Sequence, residues 1–241
     1  MSNKSPTAEY YDENWKTKHS RSAYDSLENR WRTRWQFVLE RIEDGSRVLD
    51  MGCGDGVIGG LLVDEHDCEV HGVDVSEYAL ENAREKGVET DTCNISREPL
   101  PYDDDEFDAV LLLCVLEHIP RPEFALEEAS RVVRPGGDVY VSLPNPLRWN
   151  LRLAFLKGEL HPDLLHQRPG EGTHYRFFNY EDGLETIVDR LELPITLAEK
   201  EADVKNPNKY STVGLWARRR LISRFPSLFC EYMNYRYTHP A

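Results

Sequence analysis

The chain is short of lysine. Only 8 of its 29 basic residues are Lys, against 43 Asp plus Glu, and the formal net charge is −14. So acidic a surface repels nucleic-acid phosphate, and a nucleic-acid role needs a local basic patch that residues 45–145 do not supply. Cysteine is sparse too: Cys53, Cys68, Cys93, Cys114 and Cys230 are scattered, odd in number and form no CxxC. That excludes a disulfide framework and a cysteine zinc site, and reads as free thiols in a reducing cytoplasm. Long apolar runs are missing. The longest, Ala109 to Leu116, is too short to cross a bilayer and reads as a buried parallel strand. Met1 to Trp15 has no apolar signal-peptide stretch. What remains is 241 residues without repeats, enough for one α/β domain with additions.

The informative stretch is Arg47-Val48-Leu49-Asp50-Met51-Gly52-Cys53-Gly54-Asp55-Gly56. Val48 and Leu49 predict a buried strand. Asp50 sits at its end, three glycines follow at alternate positions, and Val57, Ile58, Leu61 and Leu62 open a helical pattern. A strand, a bare turn and a helix start together predict a nucleotide-cofactor site. Gly54 to Gly59 is also a literal GxGxxG, the dinucleotide fingerprint. Its first glycine falls too far from the strand, however, because Gly52 holds that place. Asp50 and Asp55 would also repel a pyrophosphate, whereas they attract a ligand carrying an ammonium and a sulfonium.

An acid followed by GxGxG resembles the first motif of the class I S-adenosylmethionine (SAM)-dependent methyltransferases. Further motifs fall in register over residues 45–145. Asp74 ends a second strand, about 20 residues after the glycines, where the ribose hydroxyls of an adenosine group are held. Val75 beside it suits an adenine face, and Ser76 predicts a helix N-cap. After a third strand at Glu89–Cys93, the family's adenine-binding acid is replaced by Asn94, whose amide oxygen still accepts, with Ile95 offering its N–H. Leu100-Pro101 and the acids up to Asp108 resemble the family's approach to strand four. The acids there read as a solvated turn, with a divalent-cation loop as the alternative. Cys114-Val115-Leu116-Glu117-His118 resembles the "LEH" motif of small-molecule methyltransferases, including the quinone-biosynthesis O-methyltransferases. The extra acid of that motif is replaced here by Cys114, so no metal is expected. The carbonyls of Leu113 and Cys114 border the place of the methionine ammonium. His118 is the candidate general base, or else a histidine that orients its turn; Glu117 reads as structural. Arg131-Val132-Val133-Arg134-Pro135-Gly136-Gly137 is a further family feature, expected to end a helix opened by Pro122 and lead into a strand at Val139–Leu143.

The cofactor set expected from this resemblance is Asp50, Gly52, Cys53, Gly54, Gly56, Asp74, Val75, Asn94, Ile95, Leu113 and Cys114. Outside the core, residues 1–20, with Tyr10, Tyr11 and Trp15, read as a loose arm with aromatic anchors, with folding over the cofactor as the alternative; in the family an N-terminal Tyr often closes the pocket. Residues 21–43 read as a Trp/Arg-rich cap helix. Residues 146–178 form the expected acceptor lid, with Trp149, His174, Tyr175 and Arg176 as candidate contacts. His161 and His166 lack metal spacing, and Pro162 breaks a helix between them. His174-Tyr175-Arg176-Phe177-Phe178 resembles a segment of the methionine-biosynthesis-associated methyltransferases; Arg176 there either clamps an acidic acceptor or fixes the lid by a salt bridge. An amphipathic pattern around Leu215 to Phe225 carries Arg218, Arg219, Arg220 and Arg224, which reads as a solvated helix face, with contact to anionic lipid as the alternative.

The resemblance implies a Rossmann-like, doubly wound α/β fold. Its seven-stranded sheet would have the order 3-2-1-4-5-7-6 with strand seven antiparallel and helices on both faces. The divisions expected are an arm and cap helix at 1–44, the SAM-binding core at 45–145, the lid at 146–178 and completion of the sheet at 179–241. The implied activity is methyl transfer from SAM to a small-molecule acceptor, with no nucleic acid, metal or stable membrane insertion. An NAD-dependent Rossmann oxidoreductase and a non-catalytic SAM-binding partner protein are the rival readings.

Overall fold

The computed structural model describes residues 5–18, 35–159, 176–203 and 212–241. The helices are α1 (Pro6–Lys18), α2 (Gln36–Leu39), α3 (Val57–His66), α4 (Glu77–Arg84), α5 (Pro122–Val132), α6 (Trp149–Leu156), α7 (Glu185–Arg190), α8 (Thr212–Arg224) and α9 (Pro226–Phe229). The strands are β1 (Arg47–Met51), β2 (Glu69–Asp74), β3 (Glu89–Thr92), β4 (Phe107–Leu113), β5 (Val133–Pro144), β6 (Thr196–Asp203) and β7 (Tyr232–Thr238). They form one sheet in the order β3-β2-β1-β4-β5-β7-β6. β1 pairs in parallel with β2 and β4, β4 with β5, and β7 runs antiparallel to both β5 and β6.

Side-chain alternation assigns the two faces. Val48, Ala109, Leu111 and Tyr140 point to the side covered by Phe37, Ile58, Leu61 and Leu62. Leu49, Met51, Val110 and Leu112 point to the other, covered by Ala125, Leu126 and Ala129 of α5, Val188 of α7 and Ile222 of α8. Both faces of the central strands are therefore buried, which is why β1 and β4 read as continuous apolar runs rather than alternating ones. Asp50 is the exception in β1: it faces the same side as Val48 yet is only 2% exposed.

Several local expectations change. The N-terminal arm is a helix, α1, packed on α4. Residues 21–34 of the expected cap helix lie outside the described residues; within its range α2 is a single short turn whose Phe37, Val38 and Leu39 are buried. Arg134 to Gly137 does not separate helix from strand: α5 ends at Val132, β5 starts at Val133, and the glycines sit inside its bulged first part. The close approach of neighbouring backbone explains this, since a Cβ on Gly137 would lie 2.7 Å from the Asp108 carbonyl oxygen. The acids before β4 keep the expected solvated turn: Asp103, Asp104 and Asp105 are exposed, with Asp104 paired to Arg131 at 2.9 Å and Glu106 to Arg47 at 2.8 Å.

Candidate cofactor site

The turn after β1 rests first on main-chain constraints. Gly52, Gly54 and Gly56 all take left-handed φ, at 79°, 54° and 72°, a region that side-chain-bearing residues avoid. The amides of Gly52 and Cys53 both donate to the Val73 carbonyl, at 2.7 and 3.1 Å. Gly56 then serves as N-cap of α3. Gly72, opposite Asp50 in β2, leaves the room that the Cys53 side chain fills: a Cβ there would lie 2.7 Å from Cys53 Sγ.

Asp74 closes the turn from the neighbouring strand. Its Oδ2 accepts from the Gly54 amide and its Oδ1 from the Ser76 amide, both at 3.0 Å. Burial pushes this carboxyl up, and the N–H groups of Ser76, Gly54 and Val75 pull it back. Asp74 thus shapes the turn, and three N–H groups on its two oxygens leave the carboxylate one acceptor position. Ser76 caps α4 as expected, accepting from Ala79 N at 3.3 Å.

Asp50 is held differently. Its Oδ2 is buried without a hydrogen-bond partner among the described residues. Burial, with the Asp74 charge behind it, raises its pKa to about 7. Asp55 is raised to about 6, mainly by burial. Three carboxyl groups are therefore gathered at one bare turn, and the deepest of them lacks a donor. A buried carboxylate in that condition is costly. An ammonium brought to it relieves the cost, whereas a pyrophosphate adds to it. The residues present fit an adenosyl ligand with a cationic amino-acid end.

The structure places the other expected residues less uniformly. Val75 follows the end of β2, between Asp74 and the Ser76 cap. Asn94 Oδ1 already accepts from the amide and hydroxyl of Ser96, at 3.2 and 2.9 Å, so this side chain shapes its own turn. The side chain of Ile95 packs into the core. Leu113 ends β4, and Cys114 follows with φ 58°, its amide donating to the Ser142 carbonyl at 2.8 Å. Val115 then lies against the turn: a Cβ on Gly52 would come 2.5 Å from its Cγ2.

His118 closes the 3-10 turn Leu116–His118, its Nε2 3.9 Å from Oε1 of the buried Glu117. Arg176 is anchored near the same turn. Its amide donates to the Glu117 carbonyl at 3.3 Å, and its guanidinium donates to the Pro120 carbonyl at 3.4 Å and lies 3.8 Å from Glu123. These contacts favour the salt-bridge role for Arg176. Trp149 stands at the start of α6, 47% exposed. His174 and Tyr175 lie outside the described residues, as do His161 and His166.

Sequence reasoning missed Asp12. It is buried in α1, where its Oδ1 accepts from the Ser76 hydroxyl at 2.7 Å and the Tyr78 amide at 3.3 Å. On the same helix Trp15 covers the glycine turn: a Cβ on Gly54 would lie 2.5 Å from its Cζ2. Tyr10, by contrast, is 49% exposed. The signal was present, since Ala8, Asp12 and Trp15 fall at i, i+4 and i+7, one helix face. Replacing Asp12 by Ala removes the hydrogen bonds to Ser76 and Tyr78. Tryptic cleavage inside residues 5–18 is expected to speed up roughly tenfold, as the loss of about 1–2 kcal/mol implies, while the core's melting temperature stays put. Unchanged cleavage would show that Asp12 does not hold α1.

Known proteins bear on this geometry directly. A methyltransferase-domain family profile matches residues 49–141, the stretch from β1 to β5 that carries the turn. That stretch is a class I SAM-dependent methyltransferase domain. The ubiquinone biosynthesis O-methyltransferase of Alkalilimnicola ehrlichii is 39% identical over 136 residues, 54% of this chain and 53% of that protein. The Pseudomonas entomophila protein of the same name is 34% identical over 152 residues, covering 61% and 62%. The chain thus spans about half the length of the curated relatives it matches. Among solved structures, the Haloferax volcanii complex with the Trm112 methyltransferase activator has a chain that superposes with TM-score 0.63 at 19% identity, covering all of both chains. A SAM-dependent methyltransferase from Thermotoga maritima gives TM-score 0.61 at 19% identity, covering 90% and 96%. The methyl donor of a domain of this family is SAM.

Proposed function

We propose that the protein transfers a methyl group from SAM to a small-molecule acceptor, and that a hydroxyl is the first acceptor group to test. The observation that carries the reading is Asp50: a buried carboxyl oxygen without a donor, at the end of β1 and against a bare glycine turn. The hydroxyl rests on the names of the relatives, which are O-methyltransferases. The hydride-transfer alternative has no support from the relatives, and the three carboxyl groups oppose a diphosphate.

When bound, SAM supplies an electrophilic methyl on a positively charged sulfur. The chain's own residues do the rest. Gly52, Gly54 and Gly56 give the turn its left-handed backbone and the room that Val115, Trp15 and Ala83 occupy against it; Asp74 orders the turn and offers its remaining acceptor position to the ribose hydroxyls; Asp50 receives the ammonium. Positioning of the two reactants supplies most of the acceleration. His118 takes the proton that the acceptor loses when its new bond to carbon forms. The domain boundaries at 1–44, 45–145, 146–178 and 179–241 follow as functional divisions: cover, cofactor core, acceptor lid and sheet completion.

Two measurements test this. A thermal-shift comparison should show stabilisation by S-adenosylhomocysteine and none by NADH; the reverse would overturn the reading. His118→Ala should lower kcat roughly 100-fold, within the usual range for a general base, while changing SAM affinity little. An unchanged kcat would leave His118 as the residue that orients its turn.

A further inference from the structure

We infer that the face made by α6, α8 and α9 docks on the surface of an anionic lipid bilayer. The inference is independent of the transferase reading, because it needs neither SAM nor an acceptor. Among the described residues twelve large hydrophobic side chains are exposed, and nine of them lie within 147–156 and 213–225. The most open are Leu156 at 81%, Val213 at 75%, Phe155 at 66% and Trp216 at 64%.

The same two segments are segregated in charge. Residues 146–158 and 212–230 hold seven Arg plus Lys and no acid, in a chain with 43 acids. Arg218 is paired with Glu231 at 2.9 Å. Arg152, Lys157, Arg219, Arg220 and Arg224 are exposed.

The tertiary structure brings the segments to one end of the sheet. α6 follows the end of β5, while α8 and α9 lie between the end of β6 and the start of β7. Pro144 and Asp203 both pair with Tyr232. Asn145 ties the parts together: its Nδ2 donates to the carbonyls of Ser227 and Cys230, at 2.9 and 3.0 Å, and its Oδ1 accepts from the Leu147 amide at 2.9 Å. The cofactor turn lies at the carboxyl ends of β1 and β2, so the face shares an end of the sheet with the site.

Charge selects the occupant. A bilayer bearing phosphate headgroups attracts the cations of α6 and α8 and repels the acids around them, among them Glu40, Glu201 and Asp203 in the cleft beside Arg219, which fixes the orientation of docking. Exposed aromatic and aliphatic side chains between cations match the headgroup–acyl boundary. A symmetric dimer through this face would set like cations against like cations. Nucleic acid would leave Leu153, Leu156 and Val213 without apolar partners. No helix among the described residues is long and apolar enough to cross a membrane, so the contact is interfacial.

The test is co-sedimentation of the full chain with phosphatidylcholine vesicles, with and without phosphatidylglycerol. Binding is expected only to the anionic vesicles, with a blue shift of tryptophan emission and weakening by salt. The double variants Arg219→Glu/Arg220→Glu and Phe155→Ser/Leu156→Ser should each reduce the bound fraction roughly tenfold or more. Both should keep the parent's circular dichroism and its affinity for S-adenosylhomocysteine. Three results would each overturn the inference. One is failure to bind anionic vesicles; another is variants that bind as the parent does. The third is a parent that ignores vesicles while forming a dimer, or binding RNA, in a way the variants abolish.

Discussion

Asp50→Asn should weaken SAM binding roughly 100-fold or more and, in the same protein, raise the ligand-free melting temperature at pH 8. The two effects have one cause. Asp50 is buried with an oxygen that no donor reaches, and its pKa stands at about 7 against an ordinary 3.8. Above pH 7 the folded protein holds a charge that burial penalises. Between about pH 4 and 7 the folded state carries a proton that the unfolded state has lost, so unfolding free energy falls as pH rises through that window. The loss is complete above about pH 7. Asp55, raised to about 6, adds to the same slope over a narrower range.

Asparagine cannot ionise. Its variant should therefore lose Asp50's share of the slope and gain roughly 2 kcal/mol at pH 8, about 5 °C in melting temperature for a chain of this size. It also lacks the charge that receives the ammonium, which should weaken SAM by a factor of 100 or more, on the order of 3 kcal/mol. For the parent, SAM affinity should climb with pH through about 7, since the acid must lose its proton first; for the variant it should be flat. Calorimetry across pH 5.5–8.5, a range set by that shift, checks both. A variant that binds SAM as tightly as the parent would remove Asp50 from the site.

Gly56→Ala should cost about 3 kcal/mol of stability, while Gly45→Ala should cost only about 1. Both glycines hold left-handed φ, at 72° and 75°, so the backbone penalty is common to the pair. Their surroundings differ. A Cβ on Gly45 meets nothing within 4 Å, whereas one on Gly56 lies 2.6 Å from Ala83 Cβ and 2.8 Å from Ala83 Cα. The second contact is backbone of α4 and cannot rotate away, so α3 and α4 must part. Chemical denaturation of the two variants measures the difference. Equal losses would mean that the α3–α4 contact yields freely and that the turn is governed by dihedral preference alone.

The cofactor turn was legible before any coordinates because its requirements are local. Alternate glycines, an acid at a strand end and a second acid on the next strand depend on backbone angles and on the chain's reach. The sheet order was legible through the family resemblance, and β4 showed in Ala109 to Leu116 as an apolar run. The N-terminal helix was harder. Asp12 looks like one acid among many, and only the position of Ser76 in the fold makes it a partner. By residue type Asn94 is open for adenine, yet Ser96, two residues along, occupies its oxygen. No composition or spacing distinguishes those outcomes.

Taken alone, the sequence determined the strand–turn–helix unit, its three left-handed glycines and the negative charge around them, because these are properties of neighbouring residues and of side-chain type. The tertiary structure decided which carboxyl group is left without a donor, which helix covers the turn, and that two acid-free segments far apart in the chain meet at one end of the sheet. Those facts depend on burial and on long-range packing, which no single stretch of chain encodes.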